Sequence, residues 1–259
     1  MTYEPLDDPI WIERAGRSLA ASWAAIVAAL GGRTARHDDL WLVDADSPNS
    51  MLNNATLVRP MRAGDAEPLT RRLDAFFSHH EPGRNWSLWS AWPTPDMTDL
   101  GYRSWGHDTI MVRLPGGAAP PMPPELQIVG ILDPAELARV EREFVVAFPV
   151  WHVESLLPGA FFHPALLGGP FRIWGGYVDG EIVSIAAALI EDDMIDVSFI
   201  ATVPHARRRG YGAAITWHAT TAEPALPAVL EATAMGRPVY ERLGYQAIGQ
   251  TTMWERRRW

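Results

Sequence analysis

The 259-residue sequence predicts an α/β protein: a mixed, mostly antiparallel sheet flanked by helices, in two copies arranged in tandem. Three observations carry that expectation. The run FRIWGGYVDGEIVSIAAALIEDDMIDVSFIATV, residues 171–203, splits into three β-rich stretches at two hairpin turns, Asp179-Gly180 and Glu191-Asp192-Asp193. Stretches with apolar residues at helical spacing stand beside the β-rich ones. The two halves also share landmarks at offsets that agree to within one residue: Pro60 and Pro204 lie 144 residues apart, and the leucines of the two LGY tripeptides, Leu100 and Leu243, lie 143 apart.

From Pro9 to Leu30 the chain is Ala-rich with a helical apolar pattern, preceded by Asp7 and Asp8 as caps and closed by Gly31-Gly32, which predicts a helix. LWLVDAD (40–46) and NATLVRP (54–60) read as strands, DAEPLTRRLDAFFSHH (65–80) as a helix, and NWSLWSAW and TIMVRLP (109–115) as strands. Pro and Gly displace everything else in LPGGAAPPMPPEL (114–126), a linker and boundary. The predicted domains are therefore 1–115 and 126–259, joined by 116–125. Beyond the linker come a strand QIVGI (127–131), a helix with Asp133 as its N-cap, the three hairpin strands, a buried-type strand PAVLEAT, a short helix RPVYERLG and a strand YQAIGQTTMW.

Absences narrow the chemistry. The sequence has no Cys and no Lys. That removes disulfides, thiolate nucleophiles, cysteine zinc sites, Schiff bases and the lysine of a Walker phosphate loop. The N-terminus MTYEPLDDPIW is acidic where a secretory signal is basic, and the apolar run 19–30 is shorter than the roughly 20 residues that span a bilayer. A cytoplasmic protein is expected. A formal charge of −9 argues against nucleic-acid or anionic-membrane partners, while a local basic loop can still hold one small anion. His79-His80 beside Glu81 has no third ligand at a recognisable spacing, so a solvated helix end and no metal are expected.

VPHARRRGYGAAITWHA (203–219) is such a loop, with Arg207, Arg208 and Arg209 ahead of Gly210 and Gly212 at the mouth of a helix. Glycine allows close backbone approach, and the free N–H groups of a first helical turn carry partial positive charge, so the segment suits a phosphate. On these residues alone an ordinary turn with a solvated basic face remains open. A Walker loop needs the missing Lys, and GxGxxG needs a third glycine where Ile215 stands.

Arg207-Arg208-Arg209-Gly210-Tyr211-Gly212, with Pro204 three residues upstream, resembles the R/Q-x-x-G-x-G/A pyrophosphate loop of the acetyl-coenzyme A dependent N-acetyltransferases called GNAT. Tyr240-Glu241-Arg242-Leu243-Gly244-Tyr245 resembles that family's Y-x-x-L/M-G-F/Y element. The resemblance covers about 125–259 and implies the acyl-CoA N-acyltransferase fold. The first half is similar in element order, but MRAGDAEPL after Pro60 lacks the loop, implying a degenerate copy.

The resemblance further implies acetyl-CoA as co-substrate, its pyrophosphate held by the backbone N–H groups of Arg208 to Ala213 and its pantetheine paired with the main chain of Ile200 and Thr202. It implies Tyr240 as general acid toward the departing thiolate and Asp196 as general base, six residues before Thr202. Even spacing on a regular strand would put Asp196 and Thr202 on one face, and a bulge would not. An edge carboxylate for Asp196 and a core aromatic for Tyr240 stay open. The expected activity is acetyl transfer to a primary amine, on a small molecule or a protein, by direct attack in a ternary complex. A non-catalytic acyl-CoA-binding module and transfer of a longer acyl group are the alternatives. The internal repeat favours a monomer.

Overall fold

The computed structural model describes residues 3–62, 64–81, 83–148 and 159–256. Two compact units emerge, one of Asp7–Ile110 with Ile248–Trp259, the other of Met1–Leu6 with Met111–Ala247.

The first unit opens with helix α1, Ile10–Ala29, whose Ile10 N–H donates to Asp8 Oδ1 at 2.9 Å and whose end turns at Gly31, φ +76°. Strands β1 (Arg33–Arg36), β2 (Leu40–Asp44) and β3 (Asn53–Leu57) form an antiparallel meander. Helix α2, Ala66–Phe76, then returns the chain to β4, Trp86–Ser90, which runs parallel to β3. Leu42, Ala55, Leu73, Phe77, Trp86 and Leu88 build one buried core in this unit. Strand β5, Tyr102–Gly106, lies at the edge of this sheet opposite to the meander, and β6, Thr109–Arg113, follows after only two residues.

In the second unit β7, Gln127–Gly130, precedes helix α3, Pro134–Ala147, whose N-cap Asp133 accepts from the N–H groups of Ala135 and Glu136. Strands β8 (Phe171–Val178), β9 (Glu181–Ile190) and β10 (Ile195–Thr202) are antiparallel. Helix α4, Tyr211–Thr220, leads to β11, Ala228–Ala232, parallel to β10, and then to the short helix α5, Arg237–Arg242. Ile195, Val197, Ala186, Ala188, Ile215 and Ala219 sit in one core cluster, which fixes the face of the sheet against α4.

The predicted final strand YQAIGQTTMW is in fact two, β12 (Gln246–Gln250) and β13 (Thr252–Arg256). They belong to different sheets. The first has the order β1-β2-β3-β4-β13-β5 and the second β12-β6-β11-β10-β9-β8-β7. Thus β5 and β6 part at His107-Asp108 as β12 and β13 part at Thr251. The two breaks meet: Thr251 N–H donates to Asp108 O at 2.9 Å and Asp108 N–H to Thr251 Oγ1 at 3.2 Å. The compact units are not the contiguous 1–115 and 126–259, because Met111–Arg113 lies in the second sheet and β13 in the first. Pro/Gly content marks where a strand stops and carries no information about which sheet it joins. No helix among the described residues is long and apolar enough to cross a membrane.

Candidate functional site

Strand β10 departs from regularity where the basic loop begins. Its pairing with β9 runs Asp196↔Leu189, Val197↔Ala188, Ser198↔Ala187 and then resumes at Ala201↔Ile185, one residue out of step. This is a β-bulge, with Phe199 at φ +51°, a conformation that costs a non-glycine residue about 1–2 kcal/mol. On the other side β10 pairs with β11 at Ile195↔Ala228 and Asp196↔Val229 and no further. The strands separate there, leaving the β10 main chain around Ile200 without a β11 partner. Such an edge can accept an extended ligand as an added strand.

The bulge settles the parity of the two side chains expected on one face. Thr202 pairs with Ser184 and Asp196 with Leu189, five residues apart on regular β9, so they point to opposite faces. Val197 and its partner Ala188 belong to the core against α4, hence Asp196 faces away from α4 and Thr202 toward it. The regular-strand expectation fails through the one inserted residue.

Past Thr202 the chain makes a short helical turn at Pro204–Ala206, becomes extended at Arg207, and reaches α4 through Arg208 (φ +63°) and Gly210 (φ +88°). Two left-handed residues separated by one turn the N–H groups at the head of α4 outward, an arrangement suited to an anion. The two glycines have separate causes. Gly210 supplies the left-handed cap. Gly212 has ordinary φ, but a Cβ there would stand 2.9 Å from Thr202 Oγ1, so it is the contact between α4 and β10 that excludes a side chain.

The three arginines also divide. Arg207, exposed like the other two, folds back on the chain, Nε donating to Thr202 O at 3.1 Å and an Nη to Ala147 O at 2.9 Å, and so ties the loop to β10 and to the end of α3. Arg208 and Arg209 are exposed. Tyr211 is buried and its hydroxyl donates to Glu125 Oε1 at 2.7 Å. That bond, with the Arg209 charge nearby, holds the Glu125 carboxyl below the usual range. Glu125 ends the Pro-rich stretch read as a linker. In the structure 118–125 walls a cavity of about 780 Å³ with Arg209, Gly210, Ala213, Val239, Arg242 and Leu243 opposite.

Tyr240 on α5 is 8% exposed, its ring 6.2 Å from that of Tyr245. Gly236 makes room for it: a Cβ there would lie 2.8 Å from Tyr240 Cε2 and 3.1 Å from its hydroxyl. Burial drives the Tyr245 phenol far above its ordinary value, with Tyr240 and Asp196 adding to the shift, so both residues lie within electrostatic reach of Tyr245. The Tyr245 hydroxyl pairs with Thr220 Oγ1 at 2.6 Å.

One carboxylate on this side escaped the sequence reading. Glu231 on β11 alternates with Val229, the register partner of Asp196, and therefore shares its face. It is half-buried where Asp196 is 5% exposed. The signal was a Glu inside the apolar run PAVLEAT. On the same face Phe144, Phe161, Phe162 and Phe171 surround Phe199 with ring centroids 5.0–6.3 Å away. Glu141 of α3 fixes the adjoining turn by accepting from the N–H groups of Gly159, Phe161 at 2.8 Å and Phe162 at 3.0 Å.

The pair His79-His80 is not a solvated helix end. Both Nε2 atoms reach the buried carboxylate of Asp44, at 2.9 and 2.8 Å, giving three groups with ligand atoms within 4.8 Å. Arg33 lies 2.7 Å from Asp44 Oδ2, and the Asp46 N–H donates to Oδ1. Burial alone would raise this carboxyl, but Arg33, His80 and the Asp46 N–H hold it below its ordinary value. The missing third group was 35 residues upstream, on β2, beyond any local spacing rule.

No family model matches the sequence, and no curated protein is detectably similar to it. Solved structures are similar along the whole chain. A GCN5-related N-acetyltransferase from Kribbella flavida superposes with a TM-score of 0.66 at 17% identity, covering 92% of this chain and 95% of its own. A functionally unknown conserved protein from Staphylococcus epidermidis gives 0.62 at 13% identity, with 89% and 96% covered. A GCN5-related N-acetyltransferase from Sphaerobacter thermophilus gives 0.54 at 13% identity, with 94% and 93% covered. The chain therefore has the fold of the GCN5-related N-acetyltransferases.

Proposed function

We propose that the protein is an acyltransferase of the GNAT type that moves an acetyl group from acetyl-CoA to a primary amine in a ternary complex. The observation that carries this reading is the opening between β10 and β11 at the Phe199 bulge, beside the Gly210 cap of α4. An extended pantetheine arm matches the main chain of Ile200 and Thr202 on the side from which β11 has parted, and a pyrophosphate matches the N–H groups from Arg208 to Ala213. The fit rests on backbone, so Thr202 in place of an apolar residue does not weaken it.

When bound, the carrier supplies a thioester carbonyl open to attack. The amine nitrogen forms the new C–N bond, the C–S bond breaks, and the leaving sulfur must gain the proton that the nitrogen loses. Tyr240, held against Gly236, is the donor toward sulfur. Asp196 and Glu231 lie on the face away from α4 and are the carboxylates available to the acceptor, directly or through water. Their negative charge favours a cationic amine, on a small molecule or a protein.

We read the first unit as a second copy without a carrier site. Its strands follow the same succession, meander, helix, parallel strand and divided hairpin, and the breaks at Asp108 and Thr251 lie 143 residues apart, the offset of the LGY pair. Here β3 is regular and pairs with β4 at four successive positions, Asn54↔Ser87 to Leu57↔Ser90, so no opening forms. A monomer follows from this reading.

The test is calorimetric titration of acetyl-CoA into the wild type and a folded Gly210→Asp, Gly212→Asp variant, followed by an amine screen with thiol detection. Binding by the wild type alone, with thiol release on adding an amine, is expected. Binding without release under any amine would favour a carrier-binding module instead.

A further inference from the structure

Arg113 ends β6 in the second sheet and Arg256 ends β13 in the first. They lie 143 residues apart, and the partners that each one meets are spaced in the same way. Arg256 donates from Nη1 to Leu100 O, beside Gly101 at φ +82°, and its guanidinium stands 5.3 Å from the Tyr102 ring. Arg113 donates from Nε to Leu243 O at 2.8 Å, beside Gly244 at φ +89° and within electrostatic reach of Tyr245. The third partner differs. Asp74 of α2 accepts two bonds from Arg256, at 3.2 and 2.9 Å, whereas 143 residues further on stands Trp217 of α4, whose ring lies 4.5 Å from the Arg113 guanidinium. Arg113 is 6% exposed, and its donors go to the carbonyls of Leu243, Leu114 and Gly116. Among the described residues it makes no ion pair.

Burying a charge without a carboxylate is costly, so filling space does not account for an arginine here. Its contacts instead join the two helices beside the proposed carrier. Leu243 closes α5, and the Leu243 N–H donates to Tyr240 O at 3.0 Å, so the guanidinium holds the peptide to which Tyr240 is anchored. A cation at a helix C-terminus also satisfies its last carbonyls. Trp217 lies on α4, seven residues beyond Gly210. We propose that Arg113 is a positioning residue, supplied by the first half of the chain, that fixes the Tyr240 hydroxyl relative to the loop at the head of α4. This rests on the reading of the protein as an acyltransferase with Tyr240 as the proton donor. Arg256 keeps its carboxylate and has only its own fold to hold.

A double-substitution cycle on the full chain tests the role, with kcat and KM from thiol release, acetyl-CoA affinity from calorimetry and folding from circular dichroism. Arg113→Gln should lower kcat about ten- to hundredfold, the effect of a donor misplaced by about 1 Å, with acetyl-CoA affinity within about threefold of the wild type. In a Tyr240→Phe background the same change should alter kcat by less than about twofold, because no donor is left to place. Arg256→Gln should lower stability in urea and leave kcat within about twofold. Arg113→Lys, which keeps the charge and a donor for Leu243 O, should recover part of the lost turnover, and it carries the cycle if Arg113→Gln does not fold. An equal fall in kcat with and without the Tyr240 hydroxyl overturns the positioning role. So does unchanged kcat in folded Arg113→Gln, or an equal fall in Arg256→Gln. Wild type that binds acetyl-CoA and releases no thiol with any amine would remove the transfer reading, and the donor with it, a result distinct from the others.

Discussion

Gly212 is the sharpest place to test how the site is built. Replacing it with Ala puts a Cβ 2.9 Å from Thr202 Oγ1, closer than carbon and oxygen pack, so α4 or Thr202 must move. Two opposed effects set the magnitude. Ala at a helical position is favoured over Gly by about 1 kcal/mol, while forcing a methyl into a packed contact costs about 1–3 kcal/mol. Thr202 is β-branched and stiff at χ1, so it yields poorly and the clash should prevail, for a net loss of about 1 kcal/mol. The same change in a Thr202→Ala background removes the obstruction, and the helix term alone then stabilises by up to about 1 kcal/mol. Urea unfolding of the four proteins of this cycle reads the sign directly. Gly210→Ala is the control: its cost of about 1–2 kcal/mol comes from the left-handed φ and should be the same in both backgrounds. If Thr202→Ala does not rescue Gly212→Ala, the close α4–β10 contact is not the reason for glycine.

Other expectations follow from the same geometry. Tyr240→Phe keeps the ring against Gly236 and removes the proton donor, so turnover should fall about a hundredfold or more with carrier affinity nearly unchanged, read by steady-state kinetics beside titration. Asp196→Asn and Glu231→Gln should differ: the variant lacking the group that receives the amine proton loses the acidic limb of the kcat/KM profile, and retention of that limb in both would assign the proton to water. Glu141→Ala leaves the N–H groups of Gly159, Phe161 and Phe162 without their carboxylate and should cost about 3–5 kcal/mol in urea unfolding, far more than Glu143→Ala on the same helix. Asp44 has a lowered folded pKa, so its stabilisation is complete above its unfolded value of 3.8 and is lost as pH falls through the lower folded value. Asp44→Asn should flatten that acid loss, seen as a smaller fall in stability between neutral pH and pH 3.

The elements legible in the sequence were those whose causes are local. Asp133 capping α3, the Asp179-Gly180 turn and the helical spacing of α1 each reside within a few residues and appear as expected. What could not be read were causes that cross the chain. Nothing in QAIGQTTMW says that its two ends enter different sheets, since the break at Thr251 is made by bonds to Asp108, 143 residues away. The third partner of His79 and His80 is on β2, and the other wall of the loop cavity is a segment that ends 84 residues before Arg209. Arginine, too, was overcounted: three in a row read as one basic rim, and only the backbone path shows that Arg207 is spent on Thr202 O and Ala147 O.

The bulge at Phe199 and the regular pairing of β3 with β4 are what distinguish the two units in the proposed function. A strand that stays in register satisfies its N–H and C=O groups along its whole length and leaves a ligand nothing to pair with. One inserted residue in β10 breaks that satisfaction at Ile200, turns Thr202 toward α4, and puts Asp196 on the opposite face from the loop. On the function proposed above, carrier and acceptor would stand on opposite faces of the sheet and meet at the opening between β10 and β11. The left-handed φ of Phe199 that makes this possible is stabilised from outside the strand, by the ring of phenylalanines that Glu141 holds in position. Loosening that ring should therefore disturb the opening before it disturbs the loop. Phe161→Ala is expected to weaken carrier binding while the Glu125–Tyr211 contact, followed by hydrogen exchange of the loop amides, persists.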